Sequence, residues 1–101
     1  MMSAQIDSGT PAVTVHVPTA LRRFSAQQAT ISVAANTVGE ALETVGAQYP
    51  RLREQIFASD GRLRRFINVF VNTRDIRHLE REATRLRPAD TITLLAAIAG
   101  G

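Results

Sequence analysis

Val13, Val15 and Val17 alternate with Thr14 and His16, the period-two pattern of a strand with one buried face, and Pro18 ends it. Ile31 and Val33 alternate with Thr30 and Ser32 and predict a second short strand, near enough along the chain to pair with the first as a hairpin. The spacing then changes. Val38, Ala41, Leu42, Val45 and Tyr49 recur at helical intervals, and Thr37 and Glu40 stand in the positions of a capping box, so a helix starts at about Thr37. Gly39 and Gly46 weaken that helix in isolation, so it needs a sheet to pack against. Pro50 marks a break, and Leu52, Ile56 and Phe57 predict another helical turn beyond it. Asp60-Gly61 reads as a turn.

The strongest strand signal is Phe66-Ile67-Asn68-Val69-Phe70-Val71-Asn72, with Ile67, Val69 and Val71 on one face and Phe66, Asn68 and Phe70 on the other. Residues 73–90 are charged, with Ile76, Leu79 and Leu86 as apolar anchors and a short strand or turn near 73–77. Pro88 and Asp90 lead into a last strand, Thr91 to Ala96, whose Ile92 and Leu94 face the core while Thr93 and Leu95 face out. A helix after a hairpin and before further strands predicts an α+β domain with the helix on one sheet face. Its expected limits are 12–96, with a flexible arm at 1–11 and a flexible tail at 97–101.

Composition narrows the chemistry. The chain has 101 residues and 45% hydrophobic content, enough for one small core. No apolar run approaches the roughly 18 residues of a membrane span, and residues 1–11 lack the organisation of a secretory signal, so a cytoplasmic protein is expected. There is no cysteine, which removes disulfides, thiolate metal sites and a cysteine nucleophile. The twelve basic residues are all arginine, and the formal charge is +3. Arg62, Arg64 and Arg65 form the one dense basic cluster, without the stripe and stacking aromatics of a nucleic-acid module, so neither nucleic acid nor membrane is expected as a partner. His16 and His78 lack ligand spacing, and no metal site is expected. No nucleophile triad, phosphate loop or carboxylate pair is present in the pattern, so the chain is not read as an enzyme.

The ending Asp90-Thr91-Ile92-Thr93-Leu94-Leu95-Ala96-Ala97-Ile98-Ala99-Gly100-Gly101 resembles the end of the ThiS/MoaD-like sulfur carriers, in which an acidic turn leads into a last strand and a Gly-Gly terminus. Phe66 to Asn72 and Val17-Pro18-Thr19-Ala20-Leu21-Arg22 resemble strands of the subgroup that supplies sulfur for cysteine synthesis. Many relatives have prolines where this chain has Ala96-Ala97, and a glycine near the acidic residue where it has Pro88-Ala89-Asp90. The resemblance implies a ubiquitin-like β-grasp: a mixed sheet of four to five strands, first and last strands parallel in its middle, and one main helix packed across it. It also implies a cycle. A ubiquitin-activating-type adenylating enzyme uses ATP to adenylate the carboxylate of Gly101, sulfur displaces AMP to leave a thiocarboxylate, and a sulfur-accepting biosynthetic enzyme takes the sulfur. The carrier itself binds no cofactor.

Such chemistry needs a slim, adaptable end. Gly100 and Gly101 can thread a narrow channel, and Ala97, Ile98, Ala99, Gly100 and Gly101 span at most about 17 Å when extended. Phe66, Phe70 and Leu95 turn outward if the alternation holds, which makes them either a docking patch or a surface covered by the charged 73–87 segment. Cysteine or another sulfur metabolite is the favoured destination, then molybdopterin, with this chain as the small synthase subunit, then thiamine. The alternatives of another class are a ubiquitin-like protein modifier and a β-grasp interaction module with an inert tail.

Overall fold

The computed structural model describes residues 9–97. Strand β1 (Ala12–His16) pairs antiparallel with β2 (Thr30–Ala34), and a 3-10 helical turn at Thr19–Phe24 joins them. Helix α1 (Val38–Gln48) and the short α2 (Pro50–Ile56) follow. Strand β3 (Ile67–Val71) turns tightly into the two-residue β4 (Arg74–Asp75). Two 3-10 turns, Ile76–His78 and Arg81–Ala83, precede β5 (Thr91–Ala96). The five strands form one sheet in the order β2-β1-β5-β3-β4, with β5 parallel to β1 and antiparallel to β3. The first and last strands are therefore parallel neighbours within the sheet, as the resemblance implied.

The inward positions anticipated from alternation are the buried ones. Val13, Val15, Val17, Ile31, Val33, Ile67, Val69, Val71, Ile92 and Leu94 cover one face of the sheet. Val38, Ala41, Leu42 and Val45 of α1 and Leu52 and Ile56 of α2 pack onto it. Burying that apolar area is what holds a helix weakened by two glycines.

The helix start differs from the expected box in one bond. The Thr37 hydroxyl accepts from the Glu40 N–H at 3.2 Å. The Glu40 carboxylate, however, reaches one residue further back and accepts from the Asn36 N–H at 2.9 Å. Pro50 does not stop the chain from being helical. It occupies the first turn of α2, where its missing N–H leaves no bond unmade. Tyr49 closes α1 and opens α2: its N–H donates to the Val45 carbonyl, and its own carbonyl accepts from Arg53 N–H. The close return of α2 needs Gly46, because a Cβ there would lie 2.8 Å from the Cγ of Arg53.

Segment 73–90 is anchored on the helix side of the sheet. Ile76 and Leu86 are buried, Leu79 packs against the core, and Glu82 touches Gly39. Its backbone is tied to the start of α1, with Val38 N–H donating to the Thr84 carbonyl and Leu86 N–H to the Asn36 carbonyl. Next to Asn36 in the chain, Ala35 N–H donates to the Pro11 carbonyl, while residues 1–8 of the expected arm lie outside the described residues.

Candidate tail exit and docking face

The start of β5 is set by a brace between two loops. Asp90 accepts from the Asn72 amide at 3.1 Å with one oxygen and from the Arg87 N–H at 2.9 Å with the other. The Asn72 side-chain carbonyl accepts from Thr91 N–H at 3.1 Å, and the Asn72 N–H donates to the Thr91 carbonyl at 2.7 Å. The Ala89 N–H donates to the Ala12 carbonyl, and Thr14 N–H donates to the Asp90 carbonyl. These bonds fix the register of β5 against both neighbours, and so fix where the tail leaves. The acidic turn was visible in the sequence; its partner Asn72 was not singled out.

The last described anchor is the Ala97 N–H, which donates to the Phe66 carbonyl at 2.7 Å. Ala97 is exposed, and Ile98, Ala99, Gly100 and Gly101 lie outside the described residues. Phe66 and Leu95 are 40% and 45% exposed, the large hydrophobic side chains left open among the described residues. Leu95 sits opposite Asn68 in the β3–β5 ladder, which puts Phe66 and Phe70 at its two diagonal positions on the same face. Phe70 is half-buried, with Thr93 of β5 and Asp75 of β4 on either side of it. Of the segment 73–87, Ile76 and Leu86 are buried and Asp75 flanks Phe70, while Phe66 and Leu95 stay exposed. Fold geometry thus brings Phe66, Leu95 and Ala97 together, with Phe70 one step further along the strand.

The Nη2 of Arg53 donates to both carboxylate oxygens of Glu43, at 3.0 and 3.1 Å, and the guanidinium lies over the Phe57 ring. Arg77 pairs with Asp75 at 2.6 Å. The Arg77 side chain, and secondly its backbone N–H, hold the Asp75 carboxyl well below the usual carboxylate range, at about 2. Among the described residues no three His, Cys, Asp or Glu side chains are placed to hold a metal ion. No helix among them is long and apolar enough to cross a membrane.

Residues 15–101 match the family model described as the ThiS family. The chain belongs to the ThiS family. Among curated relatives, the "Sulfur carrier protein CysO" of Mycobacterium tuberculosis (strain ATCC 25618 / H37Rv) is 36% identical over 91 residues, which cover 88% of this chain and 98% of the relative. Among solved structures, the small archaeal modifier protein 1 of Methanosarcina acetivorans superposes with a TM-score of 0.83 at 28% identity, covering 91% of this chain and 98% of that one. A chain of the Amycolatopsis orientalis BexX/CysO complex superposes with a TM-score of 0.80 at 33% identity, covering 89% of this chain and all of that one, 100%. These likenesses and the sheet order make the domain a ubiquitin-like β-grasp. In the sequence of this ThiS-family chain, Ile98 and Ala99 separate the anchored Ala97 from Gly100-Gly101.

Proposed function

We propose that this protein is a sulfur carrier whose terminal carboxylate, on Gly101, is the working group. The observation that carries this reading is the anchored exit of the tail. Ala97 is pinned to Phe66 at the rim of an exposed apolar patch, and Ile98-Ala99-Gly100-Gly101 follow in the sequence. The ThiS-family match and the curated sulfur-carrier relatives support it.

The chemistry follows from the weakness of a carboxylate as an acyl donor. On a ubiquitin-activating-type adenylating enzyme, a carboxylate oxygen of Gly101 attacks the α-phosphorus of ATP, and pyrophosphate leaves. A sulfide-level sulfur donor then attacks the acyl carbon, and AMP leaves with the shared oxygen, so a thiocarboxylate remains. A sulfur-accepting biosynthetic enzyme consumes that group. This chain contributes delivery. Four residues beyond Ala97 reach roughly 13–14 Å when extended, enough to enter a site while Phe66, Phe70 and Leu95 rest on the enzyme surface. Cysteine or another sulfur metabolite is the favoured product, and the CysO relatives favour it over molybdopterin.

A protein modifier uses the same adenylation, and the likeness to an archaeal modifier protein favours keeping that second reading. Intact-mass spectrometry after incubation with an adenylating enzyme, ATP and a sulfur source separates them. A carrier gains the mass difference of sulfur for oxygen, whereas a modifier appears in isopeptide-linked adducts. Deleting Gly101, or adding a bulky residue after it, should leave the fold intact and abolish loading. A misplacement of even 1 Å can cost about a hundredfold in rate. Normal loading of either variant overturns the carrier reading.

A further inference from the structure

The outer edge of β3 is only partly covered by its neighbour. β4 pairs with Phe70 and Val71 alone, so Ile67, Asn68 and Val69 have no strand partner on that side. The ladder with β5 decides which backbone groups face outward. Ala97 N–H donates to the Phe66 carbonyl and Asn72 N–H to the Thr91 carbonyl. Phe66, Asn68, Phe70 and Asn72 therefore direct their backbone groups to β5, and the residues between them turn theirs to the outer edge. The Ile67 N–H is already used, donating to the Arg64 carbonyl at 3.0 Å. The Ile67 carbonyl and the Val69 N–H are aimed past the end of β4. An acceptor and a donor that straddle one residue, here Asn68, are what a single residue of an added parallel strand engages through its own N–H and carbonyl.

This edge opens into a groove of about 270 Å³. Arg64, Arg65, Arg77 and Arg81 line it, with Asp75 as its one carboxylate. Arg77 is committed to Asp75, and the Nε of Arg64 donates to the Glu54 carbonyl at 2.8 Å. Arg65 and Arg81 make no ion pair among the described residues. An inorganic phosphate would satisfy those guanidinium groups but set its oxygens against the Ile67 carbonyl. A peptide brings both a main-chain N–H and a main-chain carbonyl.

We propose that this groove docks an acidic, extended segment of a partner protein, which adds as a parallel strand beside Ile67–Val69 with its carboxylates against Arg65 and Arg81. Exposed edges are templates for such pairing, and affinity then comes from main-chain bonds while the flanking charges select the sequence. The groove and the Ala97 anchor lie on opposite edges of β3, so a partner in the groove does not cover that anchor.

The test uses the full chain and a blocked hexapeptide of alternating valine and aspartate, with a valine–lysine peptide as control. Amide NMR titration should show saturable shifts at Arg65, Ile67, Val69 and Arg81 with the acidic peptide only. At saturation, hydrogen exchange of the Val69 amide should slow by at least about tenfold, while the Arg65→Glu, Arg81→Glu double variant should bind at least about tenfold more weakly, which corresponds to about 1.4 kcal/mol. Deleting Gly101 should leave peptide binding unchanged, so failure of the carrier reading does not touch this one. Absence of saturable binding, equal binding of the lysine peptide, shifts confined to the Phe66–Leu95 face, or an unprotected Val69 amide would each overturn the proposal. The exchange measurement on the unmodified chain keeps it testable should the double variant not fold.

Discussion

Ala89 holds φ at 70° in the turn before β5, the left-handed region in which an L side chain costs about 1–2 kcal/mol. Relatives of the resembled family often have glycine near this place, and the geometry explains the preference. Ala89→Gly should relieve that strain and give back about 0.4–1 kcal/mol through the freer unfolded chain. The expected net result is a stabilisation of about 0.5–1 kcal/mol, read as a higher midpoint in urea. Asp75 gives a prediction of pH dependence. Its carboxyl titrates at about 2 in the folded protein, held down by the Arg77 side chain and then by the Arg77 N–H. A depressed folded value stabilises the ionised native form, so the contribution is fully present above about pH 4 and fades as pH falls through about 2. The stability difference between the protein and Asp75→Asn should therefore shrink across that window in acid denaturation. A gap that stays constant to pH 2 would remove the Arg77 pairing as its source.

At the scale of elements, α1 and α2 meet through Gly46. Alanine there gains about 1 kcal/mol of helix propensity, but its Cβ would press on the Cβ and Cγ of Arg53, the stiff root of that side chain. Overpacking of this kind costs about 1–3 kcal/mol. Gly46→Ala should thus destabilise by up to about 2 kcal/mol and release the Arg53–Glu43 pair, measurable by urea unfolding and by Arg53 side-chain NMR. The elements most legible in the sequence were those with a period. Val13 to Val17, Phe66 to Asn72 and Thr91 to Ala96 each show two faces, and the capping residues of α1 stand before its apolar spacing. Of the stretch that holds the 3-10 turns at Ile76–His78 and Arg81–Ala83, the sequence showed only a short strand or turn near 73–77 and apolar anchors, because one turn is too short to show a repeat. The bond from Glu40 to Asn36, and the Asn72–Asp90 brace across 18 residues, depend on how loops meet in space, which no local pattern encodes.

For the molecule as a whole, the same alternation that fills the core decides what faces a partner. Leu95 is exposed, so Leu95→Ala should change stability by no more than about 0.5 kcal/mol. On the carrier reading, it should weaken binding to the adenylating enzyme, as measured by titration calorimetry. Phe70→Ala should cost more stability than Leu95→Ala, because Phe70 is half-buried beside Thr93 and Asp75. Equal stability losses would show that their packing does not differ as the structure has it. Alternation made the sidedness of Phe66, Phe70 and Leu95 readable in the sequence. It could not give the deeper seat of Phe70, which is set by the strands that flank it.

The placement of β5 also has a mechanical consequence. It lies between β1 and β3 and is bonded along both edges. A pull transmitted through the residues after Ala97 runs along the strand axis, so it loads the flanking hydrogen bonds together, in shear, instead of opening them one after another. On the carrier reading, the β-grasp body should therefore stay folded while its end is drawn into a tight channel and withdrawn again. An unfolding motor that grips the same end would meet the sheet in its most resistant direction.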